Sequence, residues 1–299
     1  MTTILTKIFC FGLSIFVFFS GLLSSWGCGQ QVSDIPDGAT RIMYGTDETQ
    51  KMDVFYPADT TGTVNILFAI HGGAWLMGDG SEFNDNCKKA AEECGYIAVT
   101  ADYRKISDGA TAYDMVDDIG NAIAKLKETL ENSGITIGKI IITGHSAGAH
   151  IALMYAYNHY EDCPIDIAFV VSNCAPTEFL KDSKKSTTTM GKYAHIAMSS
   201  LSGVAITSFN TDEQQDVINS ISPLSMVTSS VPPTIVVQGD KDTMVPYSNS
   251  TDLYEALQNA GVDSVMITYT GADHWLGSQF EEATAARSSA FFEFAEKYL

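Results

Sequence analysis

The sequence predicts an α/β fold, a mostly parallel central sheet with helices on both faces. Strand-like and helix-like segments alternate from residue 39 onward, which is the pattern of strands joined by crossover helices. Val64–Ile70 is a near-continuous apolar run, as a strand buried on both faces requires. One stretch, Thr177–Ser222, breaks the rhythm and reads as an insertion.

Thr40–Tyr44 and Lys51–Tyr56 alternate apolar and polar residues and predict an antiparallel start to the sheet. After the Val64–Ile70 strand, Glu82–Cys94 reads as a helix and Tyr96–Asp102 as a strand. Ala112–Leu130 places Val116, Ile119, Ile123, Leu126 and Leu130 on one helical face. Lys139–Thr143 and Ile167–Ser172 are strands around a helix at Ala147–Tyr157. Beyond the insertion come a strand at Thr234–Gln238, a helix at Asn249–Ala260, a strand at Ser264–Tyr269 and a helix at Phe280–Tyr298. Sheets of this kind carry their sites at the carboxyl ends of the strands. Thr177–Ser222 is rich in Ser, Thr and Lys without a clear period, and is expected to lie over that active edge as an insertion or lid.

The 299 residues suffice for one large domain, expected at 39–299 behind a short linker, 28–38. Hydrophobic residues make up 45% and charged residues 18%, a globular composition. The net charge of −19 repels phosphate backbones, so nucleic acid is excluded as a partner. Lys7 precedes the apolar run Ile8–Leu23, and Ser25 and Gly27 are small residues placed for cleavage before Cys28. Residues 1–27 are expected to be a signal peptide or N-terminal membrane anchor, and the protein to be secreted or held at the cell surface. Cys28 after Gly27 resembles a lipoprotein attachment site, although Ser25 stands where an aliphatic residue is usual. No disulfide framework and no metal-type spacing emerges from the six cysteines.

Gly144-His145-Ser146-Ala147-Gly148 matches G-x-S-x-G between a predicted strand and a predicted helix. The glycines permit a tight turn that lifts a serine hydroxyl out of the sheet, and the helix behind it points its positive end at a developing oxyanion. A serine needs a base, and the base an orienting carboxylate. Two loops after later strands supply them in order: Gly239-Asp240-Lys241-Asp242, then Gly271-Ala272-Asp273-His274-Trp275. Either Asp240 or Asp242 could serve at this level of reading. His274 is the only histidine beyond the acidic loop; His145, His150, His159 and His195 have duller readings. His71-Gly72-Gly73-Ala74-Trp75, after the Val64–Ile70 strand, allows the backbone to approach a substrate oxygen.

Together these motifs resemble the hormone-sensitive-lipase-like and feruloyl- or acetyl-esterase-like branch of the α/β hydrolases, over residues 39 to 299. Asp102-Tyr103-Arg104 with Asp118, Ala122 and Leu126, then Ser222-Pro223 and Pro232-Pro233, extend the resemblance. It implies an α/β-hydrolase fold and hydrolysis of carboxylic esters through an acyl-enzyme on Ser146, with His274 as base. It selects Asp242 as the triad acid and leaves Asp240 as a turn residue. It assigns the oxyanion hole to Gly72, Gly73 and Ala147, and requires no metal or cofactor. The implied substrate is a short-acyl or carbohydrate-linked ester. Ala74 and Trp275 depart from the glycines common at those positions. Trp75 and Trp275 follow the oxyanion loop and the base directly, and both are expected to wall the substrate pocket. Two rivals stand beside this reading: a small-molecule amidase, formamidase or peptidase with the same triad, and a non-catalytic binding protein on the same fold.

Overall fold

The computed structural model describes residues 34–183 and 194–299. The expected leader (1–27), residues 28–33 of the expected linker and residues 184–193 of the expected insertion lie outside the described residues. No helix among the described residues is long and apolar enough to cross a membrane.

Eight strands form one sheet: β1 (Ala39–Met43), β2 (Lys51–Phe55), β3 (Thr63–Ile70), β4 (Ile97–Ala101), β5 (Thr136–His145), β6 (Ile167–Asn173), β7 (Thr234–Gly239) and β8 (Ser264–Tyr269). Their order is β1-β2-β4-β3-β5-β6-β7-β8. β2 runs antiparallel to β1 and to β4, as the alternating N-terminal stretches predict, and the other pairs are parallel. The helices are α1 (Asn84–Cys94), α2 (Ala112–Asn132), α3 (Ala147–Asn158), α4 (Phe179–Ser183), α5 (Ala194–Ser202), α6 (Asp212–Asn219), α7 (Ser248–Asn259) and α8 (Glu281–Tyr298). Every strand and helix expected outside the insertion is present, with ends shifted by a few residues. The expected helix start at Glu82 is instead a 3₁₀ turn, Gly80–Phe83, leading into α1.

Each strand of the sheet's centre feeds two cores. From β3, Val64, Ile66, Phe68 and Ile70 face one side with α2, α3 and α7, while Leu67 and Ala69 face the other with α1 and α8. This period of two across a doubly covered strand explains the unbroken apolar run. α3 is buried from Ala147 through Tyr157, as expected of a helix that is apolar all round. α2 starts at a reciprocal cap: Thr111 Oγ1 accepts the Asp114 N–H at 3.3 Å, and Asp114 Oδ2 accepts the Thr111 N–H at 2.8 Å.

Topology locates the site. From β3 the chain crosses through α1 to β4 on one side, and from β5 it crosses through α3 to β6 on the other. The loops leaving β3 and β5 therefore diverge, which opens a crevice at the carboxyl ends of these two strands. The insertion is more ordered than its composition suggests. Among its described residues it holds α4, α5 and α6, and Phe179, Met198, Leu201, Ile206 and Ile218 are buried in the main core. Its apolar residues are spaced too irregularly among Ser and Thr to show a period.

Asp118 on α2 is fully buried and holds the start of the helix against the β4 end. It accepts Gln50 Nε2 at 2.7 Å, the Arg104 backbone N–H at 2.9 Å and a bidentate grip from the Arg104 guanidinium. Asp118→Ala strands these donors, and urea unfolding is expected to show a loss of about 3 kcal/mol. A change under about 0.5 kcal/mol would mean that the cluster holds nothing in place.

Candidate active site

β5 ends at His145, and the chain reverses at Ser146 with φ 54° and ψ −119°. Side chains avoid this region, at a cost on the order of 1–3 kcal/mol. Neighbours hold the turn. The Ser146 N–H donates to Asn173 O on β6 at 2.8 Å, and Asn173 Nδ2 donates to Gly144 O at 2.7 Å. Ser146 O accepts the His150 N–H at 3.0 Å, which starts α3. A Cβ at Gly148 would collide with the Ile70 and His71 carbonyl oxygens, so only glycine lets α3 begin this close to β3. Among the described residues the other non-glycine positions with positive φ are Ala74, Trp75, Cys174 and Leu276, in the loops after β3, β6 and β8. Backbone strain is thus gathered around one edge of the sheet.

The loops after β7 and β8 bring Asp242 to His274. His274 Nδ1 donates to Asp242 Oδ2 at 2.6 Å, which leaves Nε2 as the basic nitrogen. Asp242 Oδ1 accepts the N–H groups of Met244 and Val245 at 2.8 and 2.9 Å, and Oδ2 also accepts Gln238 Nε2 at 2.8 Å. Asp240 does another job: its Oδ1 accepts the Gly271 N–H at 2.6 Å and ties the two loops together. Burial pushes the His274 pKa below the usual imidazole value, more than its bond to Asp242 offsets, and the nearby His145 acts in the same direction. A neutral imidazole with a free Nε2 is what a general base requires.

Among the described residues no hydrogen bond joins the Ser146 hydroxyl to His274. The elbow meets the base loop through the neighbouring residue. His145 Nε2 lies 3.1 Å from the His274 carbonyl oxygen, and the two rings are 4.9 Å apart. The donor atoms of His145, Cys174 and His274 all lie within 4.8 Å of one another. Both His145 nitrogens and His274 Nδ1 are already committed to oxygen acceptors, so this set does not suit a resident cation.

The oxyanion candidates separate. No hydrogen bond within the described residues occupies the N–H of Gly73 or of Ala147. Gly73 adopts φ 114°, and a Cβ there would collide with the Met77 carbonyl. Gly72 must be corrected: its N–H donates to Glu82 Oε2 at 2.6 Å and is not available to a substrate oxygen. Trp75 must be corrected as well. It does not wall a pocket but is buried, and its Nε1–H donates to His150 Nδ1 at 3.1 Å. His150 Nε2 in turn donates to Ile221 O at 2.8 Å, and burial holds the pKa of this histidine down at about 4. His150 therefore locks the oxyanion loop to α3 and to the end of the insertion. Trp275 is 51% exposed, with its ring 5.5 Å from those of His145 and His274.

Sequence patterns passed over Glu82, His150 and Gln238. Glu82 lies ten positions beyond Gly72 inside an ordinary amphipathic stretch, and no spacing rule connects the two.

The sequence pattern of the BD-FAE family matches residues 52–257. The chain belongs to that family. The matched BD-FAE region includes Ser146 and Asp242, while His274 lies beyond it and is brought in by the fold. A probable isoprenylcysteine alpha-carbonyl methylesterase of Oryza sativa subsp. japonica is 25% identical over 253 residues, 78% of this chain and 56% of that protein. Esterase LipQ of Mycobacterium tuberculosis is 28% identical over 239 residues, 78% of this chain and 54% of its own length. The chain thus spans about half the length of these relatives. Esterase B of Lactobacillus rhamnosis superposes with a TM-score of 0.70 at 20% identity, covering 88% of this chain and 87% of its own. That likeness shows this BD-FAE member to have the α/β-hydrolase fold.

Trp75→Phe removes the hydrogen that His150 accepts and leaves a buried nitrogen unpaired. Urea unfolding is expected to lose about 1–3 kcal/mol, while Trp275→Ala stays within about 0.5 kcal/mol of the parent. A larger loss for Trp275 than for Trp75 would reverse the assignment of core and wall.

Proposed function

We propose that the protein is a serine hydrolase of carboxylic esters that works through an acyl-enzyme on Ser146. The observation that carries this reading is the Asp242–His274 pair at 2.6 Å, with the Nε2 of His274 left basic beside a strained serine elbow. His274 Nε2 takes the hydroxyl proton as Ser146 Oγ bonds to the ester carbonyl carbon. The carbonyl oxygen, now an oxyanion, accepts the N–H groups of Gly73 and Ala147 at the positive end of α3. The C–O bond to the alcohol then breaks, and His274 returns the proton to the departing oxygen. Water, deprotonated by the same nitrogen, attacks the acyl-enzyme and releases the acid and the Ser146 hydroxyl. Asp242 keeps the proton on Nδ1 throughout and stabilises the imidazolium.

The esterase names of the relatives support the reaction class. The substrate class, short-acyl or carbohydrate-linked esters, is supported by the family resemblance and by Trp275. Its half-exposed indole beside His274 takes up space that a long acyl chain would need. Export through residues 1–27, with or without a retained membrane tether, rests on the leader-like sequence.

A fluorophosphonate probe is expected to label the wild-type protein and not Ser146→Ala. On p-nitrophenyl esters, kcat/KM is expected to favour C2 to C4 chains over C12. Asp242→Asn should lower kcat by about 10⁴-fold, since the wrong tautomer disables the base. Asp240→Asn should lose far less. Labelling that survives Ser146→Ala would end the proposal for the nucleophile, and rates that climb to C12 would end it for the substrate.

A further inference from the structure

Glu82 and His145 lie outside the triad, yet they touch three of the loops that build the site. His145 is 1% exposed. Its Nδ1 lies 3.0 Å from Glu82 Oε1, and its Nε2 lies 3.1 Å from the His274 carbonyl oxygen. A carboxylate and a carbonyl oxygen both only accept. Both ring nitrogens must therefore carry hydrogen, and the ring so bonded is an imidazolium. The other oxygen of the same carboxylate, Glu82 Oε2, accepts the Gly72 N–H at 2.6 Å. One carboxylate and one ring thus bridge the loop after β3, the elbow after β5 and the base loop after β8.

We propose that Glu82 and His145 form a charged clamp that positions the oxyanion loop and the base loop about the nucleophile, which makes both of them positioning residues for the proposed ester hydrolysis. This rests on the reading of Ser146 and His274 given above. Glu82 turns Gly72 away from the substrate and so aims the next N–H, that of Gly73, toward it. His145 fixes the His274 backbone, while Asp242 fixes the His274 ring. The groups facing His145 are Glu82, Cys174 and His274; those facing His274 are Asp242, Asp273, His145 and Cys174. Burial opposes a charge on His145, but the Cys174 sulfur and the Glu82 carboxylate favour it, and the balance lifts the pKa to about 10. The same pairing holds the Glu82 pKa below its usual range in spite of burial. The positive ring also repels a proton from His274. The acid limb of activity is then set by a His274 pKa below the ordinary 6.5, and catalysis persists as pH falls until His274 itself protonates.

Glu82→Gln isolates the charge. The amide oxygen can still accept from Gly72, and the amide N–H can donate to His145 Nδ1, which then becomes a neutral acceptor. Two readouts test the clamp. In ¹⁵N-histidine-labelled wild-type protein at pH 8, one histidine is expected to be protonated at both nitrogens, and that signal should vanish in His145→Gln. In Glu82→Gln, the acid limb of kcat/KM on p-nitrophenyl acetate should move to higher pH, with kcat reduced more than KM is raised. The NMR measurement needs no turnover, so it separates failure of the clamp from failure of the esterase reading. A neutral His145 at pH 8, or an unmoved acid limb in a folded Glu82→Gln, would overturn the proposal.

Discussion

The left-handed turn at Ser146 is the constraint on which the site depends. A side chain is held at φ 54° where the chain passes from β5 into α3. The strain on the order of 1–3 kcal/mol is sustained because the surroundings leave no alternative. Asn173 on β6 bonds to the turn from one side, and the bare Cα of Gly148 lets β3 press on it from the other. Relaxing Ser146 would require α3 to leave the sheet, and α3 is buried along nearly its whole length.

The remaining parts of the site are arranged about this fixed point by polar contacts of contrasting kind. His150 is neutral and buried, and joins Trp75 to Ile221. His145, five residues earlier, faces two acceptors and is held charged. His274 sits between them, with Nδ1–H committed to Asp242 and Nε2 kept unprotonated by burial. Three histidines thus carry their ring hydrogens in three different arrangements, set by what each nitrogen faces.

The sequence made the fold legible because its strands are buried on both faces and its helices carry a clear apolar period. Val64–Ile70 and Ala112–Leu130 show this best. The elbow and the loops that carry the Asp242–His274 pair were legible because each follows a strand and carries glycine or turn chemistry at a fixed offset. What stayed hidden depends on contacts distant in sequence. Trp75 and Trp275 look equivalent as residues that follow functional loops, yet one turns inward to His150 and the other stays half exposed. Gly72 and Gly73 are adjacent and alike, and only the approach of Glu82 decides which N–H is spent. The described helices within Thr177–Ser222 escaped notice because their apolar residues meet the core from short segments, none long enough to show a period.

The most direct test is a crystal structure of the protein inactivated by a small alkyl fluorophosphonate, whose adduct mimics the tetrahedral intermediate. Phosphorus is expected on Ser146 Oγ, with one phosphoryl oxygen within about 3 Å of the Gly73 and Ala147 nitrogens and His274 Nε2 facing the serine oxygen. An adduct on another residue, or a phosphoryl oxygen turned toward Gly72 with the Glu82 contact broken, would contradict this arrangement.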